Sequence, residues 1–290
     1  MPGTFSDSWR LTKTAFRMIR EDRALLVFPL IGGLAALAIV VVFAVGEYFL
    51  AFRSVGPGAN LNTVYLLGFL VFLPAYFALA FVSTYCTAAL VGAATKKLNG
   101  QYATAADGWQ IARARLGRLL GWALISATVG LVIQLISSRV RGVGGYIIGA
   151  VGGVAWGIVT YFIIPVLLFE DVRPWPALKR SARLYVNSFG RTMLSNLALG
   201  LIVGLSVAAA VVLGIVGFWL LLTGSFVLGI ALVAVAFVVG VVVVLIGAAA
   251  EGVLQAALYR YATTGKIDPD LRPTLAQMRA PGGGDAAPLP

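Results

Sequence analysis

Long apolar stretches separated by short cationic segments dominate this chain. Sustained apolarity marks spans near 24–46, 64–94, 119–136, 145–169, 193–222 and 225–250, lengths suited to a hydrocarbon core roughly 30 Å thick. The last two form one block from Met193 to Ala250, too long for a single crossing, and Thr223, Gly224 and Ser225 mark the turn that divides it. The expected fold class is therefore all-α: a polytopic membrane protein with six transmembrane helices.

Three of the intervening segments are amphipathic. Near 5–20, Phe5, Trp9, Phe16 and Ile19 share one side of a helix, while Arg10, Lys13, Arg17 and Arg20 recur at spacings of three and four on another. The second, about 105–118, sets Trp109 and Ile111 among Arg113, Arg115 and Arg118. The third, about 176–189, sets Lys179, Arg180 and Arg183 beside Leu178, Leu184 and Tyr185. Residues 1–265 thus read as three units, each an interfacial helix followed by a hairpin. The Pro- and Gly-rich residues 266–290 read as a flexible cytoplasmic tail. Ordered matches link the outer copies: Ser8-Trp9-Arg10-Leu11 with Ser181-Ala182-Arg183-Leu184, and Ala88-Ala89-Leu90 with Ala256-Ala257-Leu258. Ala94-Thr95 and Ala262-Thr263 follow the latter pair at the same spacing. Two-span units share one orientation, unlike the inverted repeats of many secondary transporters.

Composition agrees with a bilayer as solvent: 60% of residues are hydrophobic, 11% charged, and mean hydropathy is +0.95. Nineteen of the 22 Lys and Arg residues fall in alternate segments between the spans. The positive-inside rule then places both termini in the cytoplasm, with the chain in the inner (plasma) membrane. The net charge of +11 borders apolar spans and forms no free basic domain, so anionic membrane lipid is the expected partner and nucleic acid is not. Two readings of the basic helices compete. They lie passively at the headgroups, or Arg10, Lys13, Arg17, Arg113, Arg115, Arg118, Lys179, Arg180 and Arg183 form a collar that gathers anionic lipid or a membrane partner.

Within the spans, Gly145, Gly149, Gly153 and Gly157 recur every four residues and offer a face for close helix approach, either inside the bundle or between two copies of the chain. Pro74 and Pro165 each remove a backbone donor and predict kinks, with Thr160 a candidate partner for the carbonyl freed near Pro165. Glu251, at the end of the sixth apolar run, needs a cation, water or a proton; Arg113, Arg180 and Arg183 are candidates. Glu251, Gln134 and Asn196 are the candidate intramembrane polar site. Catalytic inventories are thin. There is no histidine, Cys86 is the only cysteine, and no phosphate-binding glycine loop occurs, so no enzyme, metal or cofactor is expected.

The run Leu168-Phe169-Glu170-Asp171-Val172-Arg173-Pro174-Trp175-Pro176-Ala177-Leu178-Lys179-Arg180-Ser181 resembles a linker in several uncharacterised prokaryotic six-span families. The wider group includes the membrane domain attached to some glycerophosphodiester phosphodiesterases. Closer similarity is to a standalone family of unknown function, carried by Ser8-Trp9-Arg10-Leu11, by Asp22-Arg23 with Leu25-Leu26-Val27-Phe28-Pro29, and by Leu258-Tyr259-Arg260-Tyr261-Ala262-Thr263-Thr264-Gly265. The resemblance implies the same six-helix plan and no established activity. The phosphodiesterase relatives carry catalysis on a separate domain that this sequence lacks. The expected function is a non-enzymatic membrane protein engaging anionic lipids or a membrane partner through its cationic rim. The alternative is a transporter or channel for a small or amphipathic solute.

Overall fold

The computed structural model describes residues 23–53, 61–99, 101–140, 142–189 and 193–264. The helix expected at 5–20 and the tail expected at 266–290 lie outside them. Helix α1 (Ala24–Glu47) continues as a π-helical stretch, Tyr48–Arg53. It is followed by α2 (Leu61–Leu98), α3 (Ala105–Ala114), α4 (Leu116–Arg139), α5 (Val143–Thr160), α6 (Ile163–Phe169), α7 (Pro174–Phe189), α8 (Met193–Leu222) and α9 (Phe226–Thr264). Among the described residues, six stretches are long and apolar enough to cross a membrane, α5 and α6 together forming one of them. The protein is all-α and multi-pass, as the hydrophobic pattern predicts.

The chain forms two compact units, Val27–Val186 and the remainder. In the first, packing is polarised along the spans. Phe28 of α1, Val91 of α2, Leu119 of α4 and Val166 and Leu167 of α6 are almost wholly buried, and all lie at the ends that border the basic segments. Toward the opposite ends, Leu37, Val42, Phe69, Leu70, Leu135 and Val151 are exposed, which suits contact with lipid chains. Helices α3 and α7 complete the core. Gly108 of α3 lies so close to α2 and α1 that a Cβ there would stand 2.5 Å from the Ala89 carbonyl oxygen and 2.6 Å from Phe28. Ile111 sits against Gly92, and Trp109 packs on Phe28 and Tyr85 with ring centroids 5.2 and 5.4 Å apart. In α7, Ala177, Leu178, Ser181, Leu184 and Tyr185 make one buried face. The inward faces of both basic helices are therefore taken up by protein, while their polar faces, and Trp175 and Val186 of α7, remain open.

Two boundaries differ from the hydrophobic pattern. The helix expected over 105–118 stops at Ala114, because the Arg115 N–H turns back to the Ala112 carbonyl at 3.1 Å. Arg113 therefore belongs to α3 and Arg118 to the first turn of α4. The span expected over 145–169 is broken at Tyr161 and Phe162. Pro165 explains the position: it lacks an N–H and crowds the carbonyl four residues earlier, so the break falls there and leaves Pro165 in the first turn of α6, where no intrahelical donor is needed. By contrast, α2 is unbroken through Pro74.

The expected four-glycine face is only half used. A Cβ on Gly145 would lie 2.5 Å from the carbonyl oxygens of both Ser137 and Val140, and one on Gly149 would touch Ser137 at 3.4 Å. Nothing lies within 4 Å at Gly153 or Gly157, and the contact passes instead to Gly152, against Ile133 at 3.2 Å. Four residues turn a helix by about 40° more than a full circle, so a strict four-residue stripe winds off any nearly straight contact line.

In the second unit, α8 and α9 form a hairpin around Gly224, whose φ of +90° a side chain would strain. Small residues set its register. Gly247 meets Val203, Gly240 meets Ala210, Gly214 meets Ala236, Gly217 meets Val233 and Gly229 meets Leu221, every pair symmetric about residue 225. A Cβ on Gly240 would stand 3.8 Å from that of Ala210. That separation falls within the disulfide range of about 3.5–4.5 Å. In a Cys86→Ala background, Ala210→Cys with Gly240→Cys should close an intramolecular disulfide on mild oxidation. Ala210→Cys with Val244→Cys, one turn out of register, should remain reduced; mass spectrometry distinguishes the two.

Candidate functional site

The basic end of the first unit is built from α3, the start of α4, the end of α6 and α7. Helix α3 begins with a capping box in which the Asp107 N–H donates to Thr104 Oγ1 at 3.3 Å and the Thr104 N–H donates to Asp107 Oδ2 at 2.8 Å. Asp107 also accepts from Lys96 Nζ at 2.7 Å, tying α3 to the end of α2. These bonds, from Lys96 first and then from Thr104, hold the Asp107 carboxyl well below the usual carboxylate range.

Arginines close the end of α6. Arg115 Nε donates to the Leu168 carbonyl at 3.4 Å and Arg118 Nη1 to the Glu170 carbonyl at 3.3 Å, so both cations satisfy main-chain acceptors at a helix C-terminus, where the dipole favours them. Arg118 Nη2 also hydrogen-bonds the Asp171 carboxylate, and Arg115 Nη1 lies 4.0 Å from the same oxygen. The Arg118 guanidinium holds the Asp171 carboxyl below its ordinary pKa. From α7, Arg180 Nε pairs with Glu170 Oε1 at 3.2 Å.

One turn below, Ser181 bridges the broken helix. Its hydroxyl donates to the Val159 carbonyl at 2.7 Å and accepts the Phe162 N–H at 3.0 Å, and the residue is fully buried. Thr160, the expected partner at this kink, instead donates back within α5 to the Trp156 carbonyl at 2.7 Å. Its hydroxyl is thereby engaged within its own helix.

The nine cations of the expected collar therefore divide. Arg10, Lys13 and Arg17 lie outside the described residues. Arg115, Arg118 and Arg180 are half-buried and committed to the α6 terminus. Arg113, Lys179 and Arg183 are exposed, as is Arg173, and none pairs with an acid among the described residues. Lys179 and Arg183 stand one turn apart on α7, with Arg183 Nε donating to the Lys179 carbonyl at 3.4 Å.

The expected polar site in the membrane does not gather as a unit. Gln134 is exposed on α4 of the first unit, while Glu251 and Asn196 belong to α9 and α8 of the second. The hairpin register sets Asn196 level with Leu254, less than a turn from Glu251; the Asn196 side chain lies outside the described ones. Glu251 is exposed and makes no ion pair among the described residues, and Arg180, one of its expected partners, is engaged by Glu170. Cys86 is buried, and no group of three metal-ligating side chains occurs among the described residues.

Sequence reasoning overlooked Ser181 and the Lys96–Asp107 pair as functional supports. Thr104-x-x-Asp107 before an amphipathic run is a legible capping signal. The Ser181 role depends on a contact across 22 residues and has no local signature.

No curated protein and no solved structure is significantly similar to the chain. Residues 63–268 match a family described as a family of unknown function, DUF6159, a match that runs from α2 through the end of α9. The chain, with its six apolar helices and internally paired basic end, belongs to that family of unknown function.

Proposed function

We propose that this is a non-enzymatic membrane protein that engages anionic lipids through its basic end, in the inner membrane with both termini in the cytoplasm. The observation that carries this reading is the exposure of Arg113, Lys179 and Arg183, without acidic partners among the described residues, on helices whose inward faces are already packed. Such cations are open to headgroups, each worth roughly 1 kcal/mol near an anionic surface. Exposed Trp175 and Tyr102 at this end, and Tyr48, Tyr65 and Tyr146 at the far span ends, suit two aromatic interface belts. The charge alternation supports the orientation.

Transport of a small or amphipathic solute is the second reading, favoured by the broken span α5–α6, since discontinuous helices often line solute sites. It ranks second because Ser181 occupies polar groups at the break and Phe162, Ile163 and Val166 fill its surroundings.

The test substitutes Arg113, Lys179 and Arg183 together with Gln in the full chain, reconstituted in nanodiscs of mixed phosphatidylglycerol and phosphatidylcholine. Retention of phosphatidylglycerol should fall at least about tenfold, less than the roughly hundredfold that three unscreened cations at about 1 kcal/mol each would give, because exposed charges are screened by salt. Unchanged retention rejects the lipid reading.

A further inference from the structure

Arg115 and Arg118 are held by main-chain carbonyls, those of Leu168 and Glu170, and so keep their places without a carboxylate. Arg118 Nη2 hydrogen-bonds one oxygen of Asp171 and Arg115 Nη1 lies 4.0 Å from that oxygen, and the Asp171 side chain is 82% exposed, on the open side of the pair. Two outward guanidiniums fixed by the backbone and sharing one oxyanion are an arrangement that a phosphate group also satisfies, with more acceptor oxygens than a carboxylate. The place suits a lipid: Asp171 lies two residues beyond the apolar stretch Val143–Phe169, and Leu116, Leu120 and Phe169 stand exposed along the same two segments, where acyl chains can pack.

We propose that Arg115 and Arg118 form a phosphate site for an anionic phospholipid, and that Asp171 occupies it as a built-in competitor which the lipid phosphate displaces. This rests on the lipid-binding role above and adds to it a defined site and its local control. Displacement breaks only the Asp171 contacts. Glu170 stays tied to Arg180, and both arginines keep their carbonyl partners, so the end of α6 remains closed while the headgroup is bound.

The experiment measures apparent phosphatidylglycerol affinity of the full chain in phosphatidylcholine nanodiscs. Asp171→Asn should tighten binding about two- to fivefold, the scale of releasing one largely exposed ion pair. Arg115→Gln with Arg118→Gln should weaken it about tenfold and cancel the Asp171→Asn gain. Glu47→Gln, at the far end of α1, changes net charge equally but frees no arginine and should leave affinity unchanged. Unfolding cannot mimic a gain in affinity, so the Asp171→Asn arm stands even where the double-arginine variant is unstable. An Asp171→Asn affinity equal to or weaker than wild type overturns the proposal. If wild type still prefers phosphatidylglycerol in that case, only the site falls; if it shows no such preference, the lipid reading falls with it. Inorganic phosphate that competes as strongly as the lipid headgroup overturns the assignment to a lipid.

Discussion

Replacing Ser181 with alanine should lower the unfolding free energy by about 2–4 kcal/mol, because it removes the hydroxyl partner of a buried N–H and of a half-buried carbonyl at once, at about 1–3 kcal/mol for each group fully buried. The two groups belong to Val159 and Phe162, on either side of the α5–α6 break, and the Ser181 hydroxyl bonds both. Alanine there also removes a link between α7 and the broken span. Thr160→Ala is the matched control. Its hydroxyl only bonds back within α5, so its loss should shift stability by less than about 1 kcal/mol. Unfolding in mixed micelles of increasing denaturing detergent, followed by tryptophan fluorescence, reads both; the stacked Trp122 and Trp156, with ring centroids 5.7 Å apart, report on α4 against α5. Equal effects from the two variants would show that Ser181 does not hold the break.

Gly145→Ala should destabilise by about 2–4 kcal/mol, while Gly153→Ala should be neutral or stabilising by up to about 1 kcal/mol. The new Cβ at 145 would meet two carbonyl oxygens at 2.5 Å, and backbone atoms cannot swing aside as a flexible side chain can. At 153 it would enter open space and merely gain the better helix propensity of alanine. The same unfolding assay measures both. Comparable losses at the two positions would mean that the whole four-residue stripe is packed, for instance against a second copy of the chain.

Helix existence and span count were legible in the sequence, as was the turn at Gly224, since apolar runs of this length admit few other solutions once a bilayer is the solvent. The Ala88-Ala89-Leu90 and Ala256-Ala257-Leu258 match also has a structural counterpart. Both triplets are buried near the ends of the two longest helices, and Thr95 and Thr263 each bond the carbonyl four residues back. The site was only partly legible. Arg113, Arg115 and Arg118 look equivalent as letters spaced along one amphipathic run, yet the break at Arg115 sends the first outward and the other two onto the α6 terminus. A difference of a few backbone dihedrals decides which cation is left exposed and which two are anchored on main-chain carbonyls.

By itself, then, the sequence determined the solvent, the number of long apolar helices, the alternation of charge and the approximate places of the two basic helices among the described residues. Each follows from transfer free energy summed over about 20 residues, a sum that single contacts barely alter. Tertiary structure alone decided which glycines carry a helix contact, that Ser181 rather than Thr160 closes the break at Pro165, and that Asp171 lies over Arg115 and Arg118. Those outcomes depend on angles and ångström-scale distances between segments far apart in the chain, where one interaction excludes another and no local average can rank them.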